Sequence, residues 1–151
     1  MNKVEVRAEG IPLPAWADGA AAYCRAAMEK TGFCRRELSL LFCGSNFIQE
    51  LNKRFRGQNV PTDVLSFPYT ALEGEKCGVY KPAGDIVISL EDMKENARLA
   101  GVPADEELRR LLIHGILHLA GCDHAGNEPG EPMLMRQEAM LKELQGWTTA
   151  I

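Results

Sequence analysis

Two spacings of apolar positions alternate along this chain. Val4 and Val6 flank Glu5 with the period of two that marks a short strand. After a turn at Pro12 and Pro14, Ala15 to about Lys30 shifts to helical spacing, with Trp16, Ala20, Tyr23 and Ala27 on one face and Gly32 beyond its end. Glu37–Cys43 (ELSLLFC) reads as a strand. Ser45 is placed to cap a helix carrying Phe47, Ile48, Leu51 and Phe55 on one stripe. Val64–Phe67 is a strand stopped by Pro68, and 70–82 is a loop rich in glycine and charge. Asp85–Leu90 (DIVISL) is a strand leading into a helix at about Glu91–Ala100.

Two helices complete the chain. Pro103 opens the first, from about Ala104 to Ala120, with Asp105, Glu106 and Glu107 where the helix dipole favours acids and Gly121 as its stop. The second spans about Pro132–Gln145. The order βαβαββααα predicts an α+β (mixed α/β) fold, a small mixed sheet packed with helices in one domain over residues 1–151.

Composition narrows the function. A net charge of −4 excludes a protein that coats nucleic acid by bulk charge, so such a partner needs a local basic patch. The charged N-terminus lacks the apolar run of a signal peptide, and no stretch approaches a membrane span. The five cysteines, odd in number and without a C-x-x-C pair, fit reduced thiols in a cytoplasmic protein. Most read as small core residues, whereas Cys122 lies inside the motif that carries the chemistry.

That motif holds every histidine in the chain: His114-Gly-Ile-Leu-His118-Leu-Ala-Gly121-Cys122-Asp123-His124. Four helical residues advance about 400°, so His114 and His118 project from one face about 6 Å apart along the axis. Two imidazoles so placed can close on one ion, and a turn at Gly121 brings His124 round as a third ligand. Three protein ligands leave a fourth position open, the arrangement of a catalytic zinc. Three histidines separated by one glycine break are hard to assign to packing. A structural zinc would recruit Cys122 or Asp123 as fourth ligand, but Asp123 is expected to accept an imidazole N–H or contact bound water. The spacing H-x3-H-x2-G-x2-H is that of metzincin peptidases, except that Gly115 replaces the glutamate base that peptide hydrolysis needs.

The string H-G-I-L-H-L-A-G-C-D-H closely resembles the YbeY family of bacterial endoribonucleases, also called rRNA maturation factors. Asn52-Lys53-Arg54-Phe55-Arg56-Gly57, Thr62–Pro68 and Gly84–Ser89 add to the likeness, as do Met133, Glu138 and Leu141. It runs from about Glu37 to Gly146, with the first thirty-odd residues alike only in general character. The resemblance implies one zinc on His114, His118 and His124, with His114 and Arg56 serving catalysis. It further implies a single-stranded RNA substrate, action in 16S rRNA 3′-end maturation and ribosome quality control, and the small subunit with its assembly proteins as partners.

The remaining residues are compatible with this on their own chemistry. Lys53, Arg54 and Arg56 cluster within four residues and suit phosphates, although a solvated helix end also favours cations. Asp63 and Asp85 flank strands that could border the site, or cap turns. Two rival readings remain: a metallopeptidase-like hydrolase, disfavoured by Gly115, and a non-catalytic ribosome-assembly factor with a structural zinc.

Overall fold

The computed structural model describes residues 1–69, 80–124 and 126–145. Its elements follow the expected order: β1 (Lys3–Ala8), α1 (Ala17–Lys30), β2 (Arg36–Cys43), α2 (Ser45–Arg56), β3 (Val64–Pro68), β4 (Lys81–Ser89), α3 (Leu90–Ala100), α4 (Ala104–Leu119) and α5 (Pro132–Glu143). The sheet order is β1-β2-β4-β3, with β1, β2 and β4 parallel and β3 antiparallel along β4. This is the mixed α+β architecture that the alternating spacings predict.

Side-chain alternation assigns the two faces of the sheet. Val4 and Val6, Leu38, Leu40 and Phe42, and Ile86 and Ile88 turn to one face, where they join α1, α4 and α5 in the main core. Leu65, Phe67, Leu41 and Val87 turn to the other, where Phe47, Ile48 and Leu51 of α2 cover them. Helix α2 packs mainly on the β3–β4 side, and Arg7 and Ser39, further along this face, border a groove.

Helix α4 is the axis of the molecule. Leu108, Leu111, Leu112, Ile113, Gly115, Ile116 and Leu117 are all buried, because α1, α3, α5, β3 and β4 each pack against it. A Cβ at Gly115 would stand 2.7 Å from Ile86 Cδ1, so glycine there is what lets α4 lie close on β4.

Two local expectations need correction. Ser45 is not the cap of α2; Gly44 is, in an extended conformation. The Ser45 amide instead donates to Glu91 Oε1 at 3.1 Å and its hydroxyl to Asp92 Oδ1 at 3.3 Å, so α3 supplies the capping carboxylate. Strand β4 begins at Lys81, four residues before the expected Asp85, and so takes in Pro82. Proline has no N–H for the ladder, but a register shift between Glu37 and Leu38 accommodates it as a bulge. Most of the expected loop, 70–79, and Cys77 within it, lie outside the described residues, as does Gly146.

Candidate metal centre and active-site cleft

Two half-buried imidazoles leave α4 on its free side, His114 and His118, with ring centroids 4.6 Å apart. Beyond them Gly121 takes φ 93°, a conformation that suits glycine, while the Cys122 amide bonds back to the Leu117 carbonyl at 3.0 Å. The chain therefore doubles back, and His124 arrives with its ring centroid 5.3 Å from that of His114 and 5.5 Å from that of His118. One ligand atom from each ring lies within 4.8 Å of the others.

Hydrogen bonds fix which nitrogen each ring presents. His114 Nδ1 meets Gln137 Oε1 at 2.7 Å, His118 Nδ1 the Cys122 carbonyl at 3.0 Å, and His124 Nδ1 the Gly126 carbonyl at 2.8 Å. All three partners accept, so each Nδ1 carries the proton and each Nε2 is left with a bare lone pair. The Nε2 atoms of His114 and His118 are 3.1 Å apart. Burial pushes both rings below the ordinary histidine value, the neighbouring rings add to this, and the Nδ1 partners oppose it. Two neutral rings with lone pairs at that distance repel unless a cation lies between them. Nitrogens about 2.0–2.1 Å from a tetrahedral ion stand roughly 3.3 Å apart, close to what is seen. The donor set fits a divalent metal.

The rings of His114 and His118 open on a cleft of about 510 Å³ lined also by Arg56, Ser66, Pro68, Cys122 and Asp123. Arg56, from the last turn of α2, reaches round the β3 edge to donate from Nη2 to the Ser66 carbonyl at 2.7 Å. Asp123 is at the cleft but takes no imidazole proton; its Oδ1 accepts from the His124 amide at 2.8 Å. Asp63 is near enough to act electrostatically on His114, and its carboxylate accepts from Asn96 Nδ2 at 3.0 Å. Asp85 is not part of this cleft: it borders the groove on the opposite face of the sheet. Lys53 is exposed and does not line the cleft. Cys122 Sγ lies 3.8 Å from Arg136 Nη1, engaged away from the rings.

Sequence reasoning missed Gln137. It is 6% exposed on α5, one turn from Met133 and close to Met140, both buried. A polar residue on the apolar stripe of an amphipathic helix was the available signal. Its Nε2 donates to Glu138 Oε2 at 3.1 Å, and Glu138 in turn pairs with Arg110, which also holds Glu106 and Glu107. This network joins α5 to α4 directly behind His114.

The family model described as Endoribonuclease YbeY matches residues 4–145. The chain belongs to this family. The YbeY match begins at Val4 and so includes the first helix, further toward the N-terminus than the motifs alone suggest. Among its relatives, the Endoribonuclease YbeY of Treponema pallidum (strain Nichols) is 43% identical over 144 residues, covering 95% of this chain and 90% of that protein. That of Borreliella burgdorferi (strain ZS7) is 49% identical over 113 residues, covering 71% and 73%. The solution structure of a Thermotoga maritima protein matches with a TM-score of 0.62 at 29% identity, covering 93% of this chain and 88% of that one. No helix among the described residues is long and apolar enough to cross a membrane.

Proposed function

We propose that this chain, acting as one domain over 1–151, is a zinc-dependent, single-strand-specific endoribonuclease. The observation that carries it is three imidazoles, each with its Nδ1 proton on a carbonyl oxygen, converging through Nε2 at an open cleft beside Arg56. Neutral imidazoles suit zinc among several transition metals, and three protein ligands would leave an ion able to take a water or substrate oxygen. When bound, such an ion supplies Lewis acidity to a phosphate oxygen or an attacking water.

The chain's own residues do the rest. His114, His118 and His124 hold the ion, and their Nδ1 partners keep the rings aimed. Arg56 keeps further N–H donors beyond the one given to Ser66, and a guanidinium fork suits the oxygens of a phosphate gathering charge. Asp123, at the cleft edge, is placed to order water or a ribose hydroxyl. The family relation supports small-subunit rRNA as substrate, 3′-end maturation and ribosome quality control as the setting, assembly proteins as partners, and the cytoplasm as the place.

The peptidase alternative meets a steric objection. The position of its glutamate base is Gly115, whose missing Cβ is occupied by Ile86. The structural-zinc alternative needs a fourth ligand from Cys122 or Asp123; the Cys122 sulfur lies 3.8 Å from Arg136 Nη1, Asp123 Oδ1 accepts from the His124 amide, and neither falls within the histidine group.

Cleavage of a single-stranded RNA by protein loaded with one equivalent of zinc tests the proposal. Activity should vanish with chelator and return with zinc, and His118→Ala should abolish it while lowering thermal stability only modestly. Full ribonuclease activity in folded His118→Ala would remove the metal from the chemistry.

A further inference from the structure

Helix α2 ends in Lys53-Arg54-Phe55-Arg56, an aromatic set among cations. Its other apolar residues, Phe47, Ile48 and Leu51, pack onto the sheet. Phe55 is covered only in part: it is 58% exposed, a large apolar surface left to solvent. Its ring meets Phe67 of β3 edge to face, with centroids 5.4 Å apart and planes at 69°. Together they form an aromatic corner at one end of the groove that α2 leaves open on the sheet, floored by Leu41 and Val87.

We propose that Phe55 and Phe67 form a stacking platform for an unpaired RNA base close to the scissile phosphate. This rests on the endoribonuclease reading and extends the substrate site to the opposite face of β3. Three observations select a single-stranded polynucleotide as occupant. The first is charge: Lys53, Arg54 and Arg56 share the last turn of α2 with Phe55, and none is paired to a carboxylate among the described residues. The second is polarity within the groove. Asp85 is the cross-strand partner of Phe67, so beside the ring the groove offers an acceptor for a base N–H, while Arg7 at its border and the cations of α2 are left for the backbone. The third is continuity with the histidine cleft. Arg56 lines that cleft, lies 5.4 Å from the Phe67 ring centroid through its guanidinium carbon, and bonds to Ser66. Ser66 borders the cleft and Phe67 the groove, so a strand crossing the β3 edge meets both in succession. A duplex keeps its bases stacked inside, and only an unpaired strand can offer one to the corner.

The test uses the full chain with zinc, comparing wild type, Phe55→Ala, Phe55→Trp and, as a control, Leu99→Ala, another largely exposed apolar residue, on α3. Affinity for a fluorescein-labelled single-stranded RNA is read by anisotropy, and cleavage under single-turnover conditions. Phe55→Ala should weaken binding about 5- to 100-fold, the range for one lost aromatic–base stack. Leu99→Ala should change nothing. Phe55→Trp should bind as wild type, and RNA should quench its added fluorescence; an abasic nucleotide at one position should abolish the quench. If wild type neither binds nor cleaves RNA, the endoribonuclease reading itself falls. If wild type acts on RNA and Phe55→Ala matches it, the platform is overturned and the groove is left to a protein partner.

Discussion

At the scale of single residues, the candidate site is a problem of aiming three rings. Histidines were legible because their number and spacing are fixed by the chain, but their Nδ1 partners were not. Two are main-chain carbonyls, of Cys122 and Gly126, which no side-chain pattern announces. The third is Gln137, distant in sequence and brought near only by helix packing. Because Gln137 fixes the tautomer of His114, Gln137→Leu should weaken zinc binding about 10- to 100-fold, the usual cost of losing a partner behind a ligand. Gln137→Glu, which keeps an acceptor, should retain most of the affinity. Competition with a chromophoric chelator measures both, and unchanged affinity in Gln137→Leu would mean the ring needs no such support. Arg56 poses a different question, since the role proposed for it is in turnover. Arg56→Ala should lower the single-turnover rate more than RNA affinity, and Arg56→Lys should recover only part, because an ammonium lacks the planar fork. Equal rates for Arg56→Ala and wild type would reduce it to a surface charge.

At the scale of elements, periodicity carried nearly everything. All nine elements among the described residues occur in the expected order, because each apolar stripe of period two or 3.6 has a matching face to cover. The misplaced details arose where tertiary partners intervene: a cap supplied to α2 by Glu91 of another helix, and a proline taken into β4 by a bulge. Gly115 was legible only as a missing base. In the structure it is a contact, the point where α4 meets β4. Gly115→Ala gains about 1 kcal/mol of helix propensity but forces a methyl against Ile86 in a packed core, an insertion that costs about 1–3 kcal/mol. A net loss of stability is expected in urea unfolding. Adding Ile86→Val removes the nearest atom, Cδ1, so the double variant should be more stable than the sum of the two single changes. Strict additivity would show that the helix and strand are not in contact there.

At the scale of the whole molecule, the site is coupled to folding through protons. Burial lowers the pKa of His114 and His118, so the folded state binds fewer protons than the unfolded one over the range between. Stability of the metal-free chain therefore rises with pH in that range. It should be fully present above about pH 6.5, the ordinary histidine value, and decline as pH falls toward the lowered folded-state values. Thermal unfolding in chelator from pH 5 to 8 reads this directly. His114→Ala should flatten the curve, and stability that improved on acidification would contradict the burial of neutral rings. The charge of −4 likewise means that RNA recognition needs a local cluster of cations, the part proposed for the α2 terminus, because the net charge repels a polyanion.

The bond from Gln137 to His114 also has a consequence in time. A ribosome releases this chain from its amino end, so the sheet and α4 emerge before α5 does. Until α5 has docked, His114 lacks its acceptor and the three rings are not all held for one ion. An enzyme that cuts RNA thus completes its metal site only after α5 has been made and docked, so the earlier elements alone leave it incompetent.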